Sequence, residues 1–214
     1  MTLLATDDAL VDGTDAGHAR GGRRWRTGAA LTAVLAVVAA GTWWGITAER
    51  YGLAGGTLIV PGAGASMNHA GPLTETCQPF VAGKPVTIGF SVFNDGSHAV
   101  TLTKVGRLFA TMSQSVTVDT ETHGAMNGLA SAVRLPVVLR PGDERLLYLR
   151  LTPLSGMSMQ AGSRTSTNTV DLSLTVLGVP HGQRFRIDDG NSYFTMAGVG
   201  PTNNGCDGYT PPDN

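Results

Sequence analysis

The chain has 214 residues, of which only 14% are charged, and its formal net charge is −1. Because proteins that bind nucleic acid carry a basic patch, this balance of charge predicts no nucleic-acid partner. Residues 1–26 contain aspartate, glycine and alanine without a sustained apolar period, so we predict a disordered cytoplasmic tail. A tail of this length is too short for a folded signalling domain.

A transmembrane helix is predicted over residues 27–48, a stretch without one charged side chain. At 1.5 Å per residue such a helix is about 33 Å long, enough to cross a hydrocarbon core of ~30 Å. Arginines crowd its N-terminal side, and tryptophans lie near both ends, where indoles favour the membrane–water interface. The predicted anchor residues are Arg23, Arg24, Trp25, Arg26, Trp43 and Trp44. By the positive-inside rule, we predict a single-pass plasma-membrane protein with a cytoplasmic N-terminus and an extracytoplasmic C-terminal domain.

Two further interpretations concern this apolar segment. A cleaved signal peptide could end at Ile46-Thr47-Ala48, but the segment is longer than the roughly 7–15 apolar residues usual in signal peptides. We therefore expect an uncleaved anchor. Gly41 and Gly45 form a G-x-x-x-G spacing that permits a weak homodimer through the helix, although an alanine-rich composition produces such spacings by itself.

Beyond the helix, residues 49–76 are rich in glycine, proline and alanine and predict a stalk, with a short strand at 57–60. The folded domain is predicted over residues 77–197 and the C-terminal tail over residues 198–214. Within the domain the apolar period is two, which is typical of strands with one buried face. Predicted strands lie at 85–94, 99–105, 107–112, 115–118, 133–139, 145–151, 170–176, 183–187 and 192–196.

Turn signals separate these strands. Asn94-Asp95-Gly96 predicts a hairpin between the strands at 85–94 and 99–105, because Asp-Gly tolerates positive φ. Pro141-Gly142 predicts a second turn, before the strand at 145–151. Seven to nine short strands without an amphipathic helix predict an all-β fold, an antiparallel β-sandwich behind one transmembrane helix.

Two segments of the domain resemble a known family. CQPFVAGKPVTIGFSVFNDGSHAVTLTKV is similar to the opening of bacterial immunoglobulin-like domains, and VVLRPGDERLLYLRL is similar to a later stretch of the same domains. The resemblance implies an immunoglobulin-like sandwich of the kind found on anchored proteins of actinobacterial envelopes. It implies no reaction, since such domains serve as spacers, adhesins and binding modules.

Cys77 opens the predicted domain and Cys206 lies in the C-terminal tail. An even number of cysteines in an oxidising compartment favours pairing, so we predict an intramolecular disulfide that staples the tail. Two free thiols or intermolecular disulfides are the competing interpretations.

The search for catalytic motifs finds no G-x-S-x-G, H-E-x-x-H or phosphate-binding loop, so we expect no enzyme. Ser97 and His98 beside Asp95 contain the residue types of a hydrolytic triad, which keeps a small envelope hydrolase as a further alternative. Residues adjacent in a turn seldom converge on one substrate atom.

Methionines and histidines in predicted extracytoplasmic loops suggest another alternative, a membrane-anchored copper-binding protein, because thioether and imidazole together suit Cu(I). The candidate ligands are Met67, His69, His123, Met126, Met157 and Met159. The competing interpretation is that these methionines pack against the ends of the domain. No spacing matches a known ligand motif, so we expect no metal and no cofactor.

The loops predicted at 120–132 and 153–168 are the longest connections, and long loops often carry binding functions. The sequence as a whole predicts a non-enzymatic, membrane-anchored interaction or structural module of the cell envelope. Its partner would be another envelope protein, contacted through the loops or an open sheet edge.

Overall fold

A computed structural model describes residues 21–70, 72–119, 132–201 and 205–206. The chain divides into two compact units, residues 1–45 and residues 46–214. One α-helix, α1 (Gly21–Arg50), begins in the first unit and ends in the second. Its segment Ala30–Ala48 is long and apolar enough to cross a membrane.

The second unit is built from β-strands in the part of the chain that the structure describes. In chain order the strands are β1 (Ala54–Val60), β2 (Ser66–Ala70), β3 (Leu73–Phe80), β4 (Val86–Phe93), β5 (Val100–Val105), β6 (Met112–Asp119), β7 (Ala132–Arg134), β8 (Val137–Leu139), β9 (Glu144–Pro153), β10 (Arg164–Thr167), β11 (Thr169–Val176), β12 (Val179–Arg186) and β13 (Ser192–Gly198). A 3-10 turn, Ile187–Gly190, separates β12 from β13.

These strands form three sheets. Sheet I has the order β1-β4-β9-β6-β7, sheet II the order β10-β13-β3-β2, and sheet III the order β12-β11-β5-β8. The pairing is antiparallel except between β3 and β13, which run parallel. The predicted β-rich, mostly antiparallel fold is therefore confirmed, with one parallel pair that the sequence pattern did not indicate.

One hydrophobic core joins the three sheets. Phe90 of sheet I stacks on Phe185 of sheet III, with ring centroids 5.7 Å apart, and lies 6.4 Å from the ring of Phe194 in sheet II. All three rings are buried. Because truncating a buried phenylalanine to alanine costs about 3–5 kcal/mol, this aromatic group contributes strongly to holding the sheets together.

The prediction of a stalk at residues 49–76 is wrong. Strands β1 and β2 and the first half of β3 occupy most of this segment, and β1 pairs with β4. Leu53 is tied to sheet III, since its N–H donates to Gln183 Oε1 at 2.9 Å and Gln183 Nε2 donates back to its carbonyl at 2.7 Å. Glycine-rich composition predicts flexibility, whereas in this segment the small residues allow close packing.

The predicted hairpin at Asn94-Asp95-Gly96 is also wrong. Strand β4 lies in sheet I and β5 lies in sheet III, so the turn carries the chain from one sheet to another. Asn94 is fully buried, and its Nδ2 donates to the carbonyls of His98 (2.9 Å) and Leu139 (3.0 Å). Its Oδ1 accepts from the N–H of Gly96 at 3.1 Å, which makes the tight turn.

The second predicted turn, at Pro141-Gly142, is a crossing of the same kind, since β8 lies in sheet III and β9 in sheet I. The two crossings are bonded to each other. Asn94 N donates to Asp143 O at 2.9 Å, and Gly142 N donates to Asn94 O at 2.8 Å.

Several strand boundaries differ from the prediction, including that of β12, which begins at Val179 rather than at 183. No strand forms at 107–111, and β6 begins only at Met112. Gln114 holds the preceding bend by bonds to the backbone of Gly106 and Leu108. The predicted strand at 133–139 is divided around Pro136, which lacks an N–H for a ladder. Strand β10 occupies the end of the loop predicted at 153–168.

Candidate functional site

The predicted membrane-anchor residues lie in one continuous helix. The backbone of Arg23, Arg24, Trp25 and Arg26 is helical, and their side chains lie outside what the structure describes. Trp43 and Trp44 are exposed by 73% and 52%. Residues 30–47 have no buried member, whereas Ala48 is fully buried in the core of the second unit. An apolar helix with no buried face is typical of a membrane span.

The predicted disulfide between Cys77 and Cys206 is present, with the two Cα atoms 5.6 Å apart. Cys77 lies in β3 on the face opposite Thr76, and both cysteines are buried with Ala197 in a small cluster separate from the main core. Cys206 is therefore bonded to sheet II on the face of β3 that carries Cys77.

The candidate copper ligands are divided between distant parts of the fold. Met67 and His69 lie on β2, an edge strand of sheet II, and His69 Nδ1 is 3.1 Å from Thr74 Oγ1. Met157 and Met159 lie in the loop that enters β10, the opposite edge strand, and Met159 packs against the core. Two strands separate these edges, or roughly 14 Å at 4.8 Å per strand spacing. His123 and Met126 lie outside the described residues.

The structure thus does not bring the described methionines and histidines into one site. Among the residues it describes, no group of three or more histidine, cysteine, aspartate or glutamate side chains could hold a metal ion.

Ser97 and His98 meet more closely than the sequence suggested. Ser97 Oγ is 3.0 Å from His98 Nδ1 and donates to Tyr51 OH at 3.2 Å. The rings of Tyr51 and His98 meet edge to face with centroids 4.8 Å apart. Asp95 makes no bond to His98 in the described part of the chain, so the cluster lacks the orienting carboxylate of a triad. The contacts with Ser97 and His98 pack Tyr51 against the turn that follows β4.

A cleft of about 500 Å³ opens at the other end of β4. Two β-turns face each other across it. Ala65 N donates to Gly62 O in one, and Lys84 N donates to Val81 O in the other, both at 3.1 Å. The third residue of each turn is a glycine with positive φ, 76° at Gly64 and 73° at Gly83, which identifies type II turns.

The residues that line this cleft, hereafter the distal cleft, are 63–64, 78–79, 81 and 84–87. Gln78 of β3 is one of them, and its side chain bonds to the first turn. Its Nε2 donates to Ala63 O at 3.0 Å, while its Oε1 is buried and accepts no hydrogen bond among the described residues. An unpaired buried acceptor costs about 1–3 kcal/mol. Gly62 permits this approach, because a Cβ there would collide with the Gln78 amide and with Val86.

The walls of the distal cleft are mostly apolar, formed by Pro79, Val81, Pro85 and Val86. Lys84 is the only charged residue among those that line it. Such a site can hold a small ligand that presents an apolar group and an anion.

Sequence reasoning missed this cleft because residues 61–65 were assigned to a stalk. One signal could have found it. An Ala-Gly pair occupies the centre of both turns, at Ala63-Gly64 and Ala82-Gly83, as type II turns require. The pairing of the turns across the cleft depends on β1, β3 and β4 and has no local signal.

Comparison of the sequence with protein-family models and with curated proteins finds no match. Function is therefore inferred from the geometry of this chain.

Proposed function

We propose that the protein is a non-enzymatic binding module of the cell envelope, anchored in the plasma membrane by α1, with residues 49–214 outside the membrane. The observation that carries this proposal is an apolar helix with no buried face directly before a disulfide-closed β domain. Disulfides persist in oxidising compartments, which supports an extracytoplasmic location.

The burial of Ala48 supports an uncleaved helix over a signal peptide. Cleavage after Ala48 would remove a fully buried residue from the core, and Tyr51 N donates to its carbonyl at 3.3 Å. The membrane span would then end inside the folded domain, without the intervening stalk.

For the domain we propose an immunoglobulin-like β-sandwich, with sheet I as one layer and sheets II and III as the other. Support comes from the shared core around Phe90 and from the two chain crossings at Asn94 and at Pro141-Gly142. Both crossings lie in the segments that resemble immunoglobulin-like domains.

A binding role is supported by the chemistry of the distal cleft. It lies at the Val86 end of β4. Tyr51 and Ser97 lie near the Phe93 end, about 23 Å away at 3.3 Å per residue. With Lys84 as its only charged side chain, the cleft has no acid–base pair for catalysis.

Intact mass and membrane topology of the full chain test this proposal. We expect the membrane fraction to contain a chain of about 22.2 kDa, with the C-terminal domain degraded by protease added outside intact cells. Thiol labelling without reductant should modify no cysteine, and labelling after denaturation and reduction should modify two.

A mature chain that begins after Ala48 in the soluble fraction would contradict the anchor. Protection of the C-terminal domain in intact cells, with digestion only after lysis, would contradict the orientation.

A further inference from the structure

Each of the three sheets has two edge strands in the part of the chain that the structure describes, and five of these strands carry a feature that hinders pairing with a further strand. An edge strand exposes unpaired backbone N–H and C=O groups, which proteins shield with short strands, bulges, prolines or charged side chains. Strands β7 and β8 have three residues each, and β1 has a register shift. Strand β10 is short and carries Arg164, while β12 carries Pro180 and two arginines.

Strand β2 has none of these features. Its residues, Ser66–Ala70, include no proline, aspartate, glutamate, lysine or arginine. Its ladder to β3 runs from Ser66 to Ala70 without a register shift. On its other side β2 has no strand partner among the described residues, so its outer backbone groups can accept a further strand.

The absence of charge on β2 favours a second copy of the same strand as the partner. Two copies related by a two-fold axis pair antiparallel, and each residue then lies near its own copy. A charged residue in such a strand would face an equal charge, which destabilises the pair. A partner of a different sequence could gain from charge complementarity, but β2 offers it no charge.

The exposed side chains of β2 also complement each other about the central residue of the strand. Met67 and His69 are both exposed, and they lie on one face of β2, on either side of Asn68. In an antiparallel pair centred on Asn68, Met67 of each copy lies directly opposite His69 of the other. A thioether against an aromatic ring is a favourable contact, and the symmetry forms it twice.

We propose that β2 pairs antiparallel with β2 of a second copy, centred on Asn68, and that it joins two copies of sheet II into one continuous sheet. This inference rests on the proposed anchored module and names its partner. Pairing of two such short strands buries less surface than the roughly 1,200–2,000 Å² of a stable complex. We therefore expect the dimer in the membrane, where the anchor confines the copies and raises their effective concentration.

Cross-linking of the full chain in membranes tests the register. Asn68→Cys is treated with bis-maleimidoethane, a short linker between thiols, and the products are separated by mass. Ser66→Cys is the matched control, since its two copies would lie roughly 13 Å apart along the strand at 3.3 Å per residue. His69→Cys is a second variant that keeps the bond from Asn68 Nδ2 to Glu75 Oε2, and its copies would lie roughly 7 Å apart along the strand.

A charge placed on the edge tests the pairing itself. Met67→Lys, added to each cross-linking variant, should lower the dimer fraction about tenfold, because an edge lysine opposes strand pairing. Met157→Lys is the matched control, since Met157 is 37% exposed against 43% for Met67 and lies in the loop that leads to the opposite edge of sheet II. It should leave the dimer fraction unchanged, and melting of every variant checks that the fold is intact.

We expect a product of twice the chain mass from Asn68→Cys and from His69→Cys, and little of it from Ser66→Cys. Absence of this product in folded variants, equal cross-linking at Ser66 and Asn68, or a product of another mass would overturn the proposal. A dimer that Met67→Lys leaves unchanged would also overturn it and would assign the association to α1. The topology experiment does not depend on these outcomes, so failure of the dimer and failure of the anchored module are distinguishable.

Discussion

At the scale of the residue, buried polar groups determine how the sheets are joined. Asn94 uses both halves of its amide, because Nδ2 reaches the carbonyl of Leu139, 45 residues away, while Oδ1 holds Gly96 in the local turn. Its backbone bonds to Asp143 and Gly142 in addition. One side chain therefore stabilises two chain crossings at once.

Asn94→Ala should lower the free energy of unfolding by about 3 kcal/mol, since a buried bond contributes roughly 1 kcal/mol and the carbonyls left behind are unpaired. Urea unfolding of the full chain in mild detergent measures the change. Asp95→Ala, at the exposed neighbouring position, is the control and should shift stability by less than about 0.5 kcal/mol. Equal effects of the two substitutions would contradict the role of Asn94.

Tyr148 predicts a dependence of stability on alkaline pH. Burial raises the pKa of Tyr148 above 10.0, and the negative charge of Asp119 raises it further. Above pH 10 the unfolded chain loses the phenolic proton while the folded chain keeps it, so the folded state loses stability as pH rises. Below pH 10 both states are protonated and the contribution is constant.

We expect the unfolding free energy of wild type to fall more steeply between pH 10 and pH 11 than that of Tyr148→Phe, which lacks the phenol. Urea midpoints of the two proteins at pH 8, 10 and 11 measure the difference. Parallel pH curves would show that Tyr148 is not the group responsible.

At the scale of the element, the position of strand β1 in sheet I depends on its glycines and on hydrogen bonds to two side chains from neighbouring strands. Its register shifts between Gly55 and Ile59, which interrupts the ladder to β4. Side chains replace the missing backbone partners, since Leu58 N donates to Ser91 Oγ at 2.9 Å and Thr57 N donates to Glu144 Oε1 at 3.1 Å. Ser91 Oγ in turn donates to Glu144 Oε1 at 2.6 Å.

Gly56→Ala should destabilise the domain by about 1–3 kcal/mol, the usual cost of inserting atoms into a packed site, because its Cβ would collide with Ser91 Oγ and the Glu144 carboxylate. Gly182→Ala on β12 is the matched control, since the nearest atom to its Cβ, Leu172 O, would be 4.0 Å away. Thermal melting of both variants checks the prediction. A larger loss in the control would contradict it.

The strands themselves were largely predictable, because alternation of apolar residues is a local property. The pattern at 170–176 matches β11 closely, and the pattern at 85–94 contains β4. Strand β2 and strand β10 were missed because Ser66–Ala70 and Arg164–Thr167 contain few apolar residues and lie at sheet edges.

At the scale of the whole molecule, one covalent bond joins β3 to the segment that follows β13. Cys77 and Cys206 are separated by 129 residues, so the disulfide closes most of the domain into a single loop. A loop of this length restricts the unfolded chain by roughly 5 kcal/mol in the chain-entropy model.

Replacing both cysteines by alanine should lower the free energy of unfolding by roughly 5 kcal/mol, because the unfolded chain regains the entropy of the open loop. Urea unfolding of the double variant, compared with oxidised and fully reduced wild type, measures this loss. A reduced wild type with two counted thiols and an unchanged midpoint would contradict the prediction.

Local pattern alone accounts for the apolar helix, for most strands and for the chemistry that pairs two cysteines in an oxidising compartment. These features depend on composition and on periods of a few residues. Strand partners, the two crossings between sheets and the distal cleft arise only from the tertiary structure. The Asn94-Asp95-Gly96 sequence suits a hairpin and a crossing equally, and the contact between Asn94 and Leu139 selects the crossing. The cleft likewise requires Gly62, which precedes β2, to approach Gln78 on β3. This approach depends on the pairing of β2 with β3, which no local pattern encodes.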